Sequence, residues 1–587
     1  MSTQTREDFF SSKVLGHPSG LFVLFFTEMW ERFSYYGMRA LLVMFFTASL
    51  MDNGWGWPKE YAFAIFGTYT SLVYLSTLLG GYFADKVMGF RLAVVLGALL
   101  MTLGHASMAL ETPFFIYTGL TLLVFGSGFF KPNMTSIVSE MYKDVPEKKD
   151  GAYTIFYMGV NAGAFLGILL CGYLGEKVGW TYGFGLAGIF MLFGLLQFWF
   201  AQDIFGDVGL KPKKVEDQLA IAELEKEENG GRLNPFTSLE VGIAGIAAAL
   251  GLVWIINDPV SKISEGATNF LNFNIGSLSG PNATILTGFA LFILLLAIRI
   301  PKYARVTRDR MFAVIFFAFV TIFFWAIFEQ APGSLTIFAR DYTNRVLVGD
   351  AGTMFKVINS LMTLIPLGII TWVLTKLFKQ TFSKYALSNI FLSISFVIIW
   401  AIAIWMLWTE FQLEATEVPA SWFGVLNSLF IIGFAPLFSK WWESKYNPNA
   451  NMKYAIGMFL LGLGMAVVAF GASDILPGAT TAQVSIFWLV FVYLFHTLGE
   501  LCISPVALSY VSKLVPGRMI AMMFGIWYLA VAIGMKLAGV FGEKSEAIAT
   551  EHGLSYFFWM LTAISFALGV LSILVYPVIK KLMHGVK

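Results

Sequence analysis

The strongest constraint on this chain is a succession of apolar stretches that each reach the thickness of a bilayer. A hydrocarbon core needs about 20 apolar residues in a helix. Sixteen segments meet that length, near 19–50, 61–85, 90–111, 113–140, 151–175, 180–202, 238–257, 283–300, 310–335, 353–377, 384–408, 419–443, 453–472, 482–513, 517–541 and 555–581. In lipid the backbone must satisfy its own polar groups, so these segments are expected to be helices and the fold an all-α integral membrane protein. Of 587 residues, 57% are hydrophobic and 13% charged, against about 25% charged in soluble domains. That balance excludes a water-soluble fold. The net charge of +2, with no basic patch, argues against a nucleic-acid partner.

Loop charge sets the expected orientation, because Lys and Arg accumulate on the cytoplasmic side. With the N-terminus placed inside and the segments alternating, 28 of the 39 Lys and Arg fall in inside loops and termini. Six fall outside (Lys59, Lys177, Lys262, Arg340, Arg345, Lys544), and five lie within or at the edge of the segments. Both termini are therefore expected in the cytoplasm of a cell with this chain in its inner (plasma) membrane, as a multi-pass monomer. The polar stretch 203–237 reads as a cytoplasmic linker carrying a short amphipathic helix. Cys171 and Cys502 sit in apolar runs and suggest no disulfide.

The first segment breaks the apolar rule. TEMWERFSYYGMRA, residues 27–40, carries Glu28, Glu31, Arg32 and Arg39. At about 100° per residue these four, with Tyr35 and Tyr36, share one sector of roughly 140° over about 16 Å of helix axis. The opposite face is left to apolar residues that pack against neighbours or lipid. Each unpaired charge near the bilayer centre costs at least about 2.5–3.5 kcal/mol, so the stripe must face a wet cavity, pair internally, or both. Glu28 and Arg32 are spaced i, i+4 and can pair within the helix.

Other intramembrane charges are few. Lys131 precedes Pro132 in FGSGFFKPNM, where the missing N–H is expected to kink or unwind the helix. Glu329 follows Trp325 by four residues in FFWAIFEQAPGS, and Glu500 sits in HTLGELCISPVALS ahead of Pro505. Tyr74, Asn161 and Asn427 recur at matching depth. The first half thus offers cations, Arg39 and Lys131, and the second offers Glu329 and Glu500. A site positive on one wall and negative on the other suits a zwitterion with a free amine and a free carboxylate, with Trp325 and Trp527 bordering apolar pockets. A carboxylate such as Glu329 that pairs alternately with Arg39 or a proton would couple binding to a proton gradient.

At these residues the chain resembles the proton-dependent oligopeptide transporter (POT/PTR) family of the major facilitator superfamily, bacterial type. The signature E-x-x-E-R-F-x-Y-Y-G is complete at Glu28, Glu31, Arg32, Phe33, Tyr35, Tyr36 and Gly37, and F-Y-x-x-x-N-x-G at Phe156, Tyr157, Asn161 and Gly163. FFKPN (129–133), GELCISPVALS (499–509) and the superfamily loop at Gly81, Asp85 and Lys86 add to it. The resemblance implies a proton-coupled symporter of di- and tripeptides working by alternating access, needing no cofactor. It implies that Arg39 and Lys131 hold the peptide carboxylate, Glu500 its amine, and Asn161 and Asn427 its backbone, with Tyr35, Tyr36 and Tyr74 around them. Glu28, Glu31 and Arg32 would form a proton-coupled network with Lys131. Glu329 would exchange with Arg39 at an outer gate, and Asp85 and Lys86 would gate without touching substrate.

The implied architecture is a major facilitator fold: a six-helix bundle (1–202), linker (203–237), inserted pair (238–309), first helix of the second bundle (310–345), a second inserted pair (346–417) and the rest of that bundle (418–587). The second pair departs from the family pattern, and peripheral packing is expected for it. Another small carboxylate, an amino acid, a drug or nitrate is the alternative cargo, although Glu500 repels inorganic anions. An enzyme is disfavoured: no H-E-x-x-H or G-x-S-x-G occurs and the five histidines are scattered. His496 and Glu500, one turn apart, lack a third metal ligand. Charges of both signs on different helices argue against a channel.

Overall fold

A computed structural model describes residues 12–211, 234–514 and 520–586, with the backbone alone for 505–513 and 520–524. The amphipathic helix expected in the linker lies, over 212–233, outside the described residues. In chain order the helices are α1 (Ser19–Thr47), α2 (Lys59–Phe83), α3 (Phe90–Met108), α4 (Pro113–Met141), α5 (Lys149–Lys177), α6 (Trp180–Ala201), α7 (Ser238–Ile263), α8 (Gly280–Arg299), α9 (Arg305–Phe328), the short α10 (Thr336–Tyr342), α11 (Gly349–Thr381), α12 (Ala386–Gln412), α13 (Val425–Glu443), α14 (Ala450–Gly471), α15 (Phe487–Leu514), α16 (Ile520–His552), α17 (Leu554–Leu574) and the short α18 (Tyr576–Leu582). Two-residue antiparallel ladders, such as Val346–Leu347 against Thr416–Glu417, tie loops together.

Fifteen spans among the described residues are long and apolar enough to cross a membrane. The sixteenth long helix is α1, whose four charges set it apart. Sixteen crossings return the chain to the side where it began, and His584, next to the C-terminus, bonds Asp309 at the start of α9 at 2.8 Å. Helices α1–α6 pack on one another, as do α9 with α13–α17, giving two six-helix bundles and two inserted pairs, α7–α8 and α11–α12.

Small residues let helices approach where lipid supplies no hydrophobic drive. On α5 the glycines recur every fourth position, and a Cβ on Gly159, Gly163 or Gly167 would meet the carbonyl oxygen of Phe25, Met29 or Phe33 of α1 at 2.9, 2.2 and 2.2 Å. This close contact fixes the rotation of α1, and so the direction of its polar stripe.

The structure revises several expectations. No face of α1 reaches lipid: all its residues except Tyr36 and Thr47 are buried. Part of that cover comes from the second inserted pair. Although its chain belongs to the second bundle, α12 packs on α6, with Phe396 edge-on to Phe26 and Trp30 and Ser388 Oγ donating to Gln197 O at 2.8 Å. The pair packs at the periphery as expected, but against the first bundle, with most of its own surface facing outward. Helix α4 runs through Pro132 without a break, and Asn133 Nδ2 donates to the Phe129 carbonyl at 2.7 Å in the same turn. The segment expected at 310–335 instead stops at Phe328: Pro332 and Gly333, the latter at φ −116°, ψ −106°, interrupt it before α10. Finally, α16 continues eleven residues past the expected end at 541.

Candidate functional site

The two halves meet tightly at the end of the molecule away from the termini. There Arg39 of α1 and Glu329, at the end of α9, form a buried ion pair of 2.7 Å. Arg340 Nη1 donates to Thr47 Oγ1 at 2.9 Å, Lys177 reaches Glu417 at 2.7 Å, and the Glu176 carboxylate accepts from the Ala420 and Ser421 amides at 2.7 and 2.9 Å. Gly67 of α2 and Gly539 of α16 lie so close that a Cβ on either would come within 2.8 Å of the other's Cα. The Glu329 position follows from sequence: Pro332 cannot continue the helix, so α9 ends with its last carboxylate at the break, aimed across to α1.

Below this closure lies the polar stripe. Arg32 Nε donates to Glu28 Oε1 at 2.7 Å and lies 3.1 Å from Glu31 Oε2. Two carboxylates therefore share one guanidinium, and neither Glu31 oxygen accepts a hydrogen bond among the described residues. Lys131, expected in this network, has no carboxylate within 4.0 Å among the described residues. Its Nζ sits over the ring of Tyr74 at 4.3 Å and of Tyr35 at 5.6 Å. Such cation–π placement leaves the ammonium without a direct ion pair among the described residues, although Glu31 and Glu28 act on it from further away. Arg39 likewise lies over Tyr36 and Tyr35, at 4.9 and 5.4 Å, while it holds Glu329.

From the second half, Asn427 Nδ2 donates to Glu500 Oε2 and to Thr497 Oγ1, both at 3.0 Å. Glu500 is within electrostatic reach of Arg39 and Glu329, and of Tyr36 and Tyr157 across the interface. Tyr157 is 56% exposed, yet it faces Arg32, Tyr36 and Glu500. The surface it presents is thus a cleft between the halves and not lipid. Asn161, one turn further along α5, donates its Nδ2 to the Tyr157 carbonyl at 3.0 Å. Trp325 is half-buried against Phe324 and Phe328, and Trp527 is buried in α16.

The predicted residues do not all gather. Asp85 and Lys86 lie apart, exposed in a π-helical turn at Ala84–Met88, with no ion pair among the described residues. His496 rests on the ring of Phe328 at 5.9 Å, and no group of His, Cys, Asp and Glu able to hold a metal occurs among the described residues. Conversely, Thr497 and Tyr528, whose ring lies 6.5 Å from that of Tyr74, carry no signal in the sequence, and Tyr157 stands there only as a signature residue without a role at the site. That role was readable, since an aromatic one turn before Asn161 must share its face of the helix.

This arrangement can grip a small solute at two oppositely charged ends while one side of the molecule is shut. The comparisons with known proteins agree with it. A family model described as the POT family (PTR2) matches residues 91–223 and 384–551. The chain is 31% identical to the "Peptide transporter YePEPT" of Yersinia enterocolitica subsp. palearctica serotype O:3 (strain YE-P4), over 97% of this chain and 96% of that one. It is 29% identical to a "Di-/tripeptide transporter" of Lactococcus lactis subsp. cremoris, over 97% and 98%. It also resembles a crystal structure of a peptide transporter POT in complex with sulfate, with a TM-score of 0.68, 28% identity and coverage of 99% of this chain and 100% of that one. The chain is therefore a multi-pass membrane transporter that belongs to the POT family.

Proposed function

We propose that this protein is a proton-coupled symporter that imports di- and tripeptides by alternating access, with two bundles rocking about a midplane site. It works without a cofactor, as a monomer in the inner (plasma) membrane with both termini in the cytoplasm. The observation that carries the reading is the Arg39–Glu329 ion pair between the halves, with Lys131 held over Tyr35 and Tyr74 on one side and Glu500 held by Asn427 on the other. The peptide carboxylate pairs with the Lys131 ammonium, which makes no direct ion pair among the described residues, and the peptide amine with Glu500.

Proton coupling follows from a charge count. Glu28 and Glu31 share Arg32, which leaves one negative charge in excess beside Lys131. A proton on a carboxylate frees Lys131 for the peptide carboxylate, and deprotonation returns it. Breaking Arg39–Glu329 opens the far end. The bias of 28 to 6 in loop charge supports the orientation. Uptake of dialanine into proteoliposomes tests the reading: an inward proton gradient should drive accumulation, and equal uptake with and without the gradient would contradict it.

A further inference from the structure

The first inserted pair, α7–α8, lies in the stretch 224–383 that the family match leaves out. Most of its surface is apolar and outward-facing, including Leu239, Val253, Leu286, Phe289 and Ile293. One short run, Asn257-Asp258-Pro259 near the far end of α7, is different. Proline has no N–H to donate, so Pro259 leaves the carbonyl four residues earlier, Ile255, without its helical partner. In a membrane that carbonyl must find another donor. Thr68 of α2 supplies it: Thr68 Oγ1 donates to Ile255 O at 3.0 Å.

The same hydroxyl is shared. Lys536 of α16, only 2% exposed, donates from Nζ to Thr68 Oγ1 at 3.1 Å and is held by an ion pair to Asp258. Lys262, one turn after Asp258, bridges it at 2.6 Å and reaches Glu543 of α16 at 2.5 Å. Two acids and two lysines thus balance at the meeting point of three elements: α2 from one bundle, α16 from the other and α7 from neither. A few residues along, Gly67 and Gly539 mark a close approach of the two bundles.

We infer that α7 is a brace on the closed far end of the transporter: Asp258 and the carbonyl freed by Pro259 hold Lys536 and Thr68 together, and so hold α2 against α16. Neutral packing would hold the pair in place without the desolvation of four charges. Hydrogen bonds that join the two bundles directly are the kind that opening must break. The inference rests on the alternating-access reading but concerns only the equilibrium between closed and open far ends.

The test is a distance across that end. Spin labels at position 51, beyond α1, and position 476, beyond α14, sit on opposite bundles, and both native side chains are highly exposed. Pulsed electron paramagnetic resonance on the full chain in proteoliposomes should show that Thr68→Val and Asp258→Asn raise the fraction of the longer distance at least threefold. Thr68→Ser, which keeps the hydroxyl, should match the parent. Pro259→Ala, which returns an N–H to Ile255, should act like Thr68→Val. Unchanged distances in Thr68→Val and Asp258→Asn would overturn the brace, as would an equal rise in Thr68→Ser. Gradient-driven dialanine uptake by the unaltered protein is scored separately, so failure of the brace and failure of the transport reading give different results.

Discussion

Arg39 and Glu329 stand 290 residues apart in sequence and 2.7 Å apart in space. Each belongs to a different half, so the proposed opening of the far end must break their ion pair. Glu329→Gln keeps a hydrogen bond but loses its charge, which weakens the contact by about 1–1.5 kcal/mol. Gradient-driven dialanine uptake should fall severalfold while counterflow exchange continues, as radiolabelled uptake in proteoliposomes would measure.

Arg32 is the shared partner of Glu28 and Glu31. Removing it leaves two buried carboxylates uncompensated, a loss of about 3–5 kcal/mol. Arg32→Ala should lower the melting temperature of the detergent-solubilised protein by several degrees and abolish uptake. Glu28→Gln, which keeps the shape and removes one of the competing charges, should melt close to the parent yet lose gradient-driven uptake.

The glycine contact between α2 and α16 makes a steric prediction. A side chain at position 67 meets the backbone of Gly539, which cannot swing aside. Gly67→Leu should prevent closure of the far end and stop net uptake. Labelling of an introduced far-end cysteine should rise in the same variant.

Glu417, in the far-end loop, ties the halves to each other through Lys177 and Arg345. Burial raises its carboxyl, but hydrogen bonds and charge from Lys177 and Arg345 outweigh that and hold it below the ordinary value of 4.5. A lowered folded-state value means the contact stabilises fully above the ordinary value and is lost as pH falls through the lower one. Between pH 5 and 8 its contribution should therefore be constant. A Glu417→Gln variant should show the same pH profile of uptake as the parent over that range, which separates this contact from the proton-coupling step.

Much of this was legible in the sequence because the bilayer simplifies the problem. Span lengths follow from hydrocarbon thickness, and the charges of α1 stood out because they are costly there. What the sequence left hidden were relationships between distant segments. The spacing of Gly159, Gly163 and Gly167 does not say which helix they receive. Nothing in 386–412 signals that it crosses to α6 of the other bundle. Lys131 was expected to touch a carboxylate, but it sits over the rings of Tyr35 and Tyr74, a contact that sequence spacing does not reveal. The break after Glu329 was readable in Pro332-Gly333 and was masked by the continuous apolar run around it.

The central claim is that one site grips both ends of a short peptide. Titration calorimetry of dialanine, N-acetyl-dialanine and dialanine amide against the solubilised protein tests it most directly, with Glu500→Gln and Lys131→Ala alongside. The account predicts that blocking either end weakens binding at least tenfold, that acetylation costs little more in Glu500→Gln, and that amidation costs little more in Lys131→Ala. Equal affinity for all three ligands in the parent protein would contradict it.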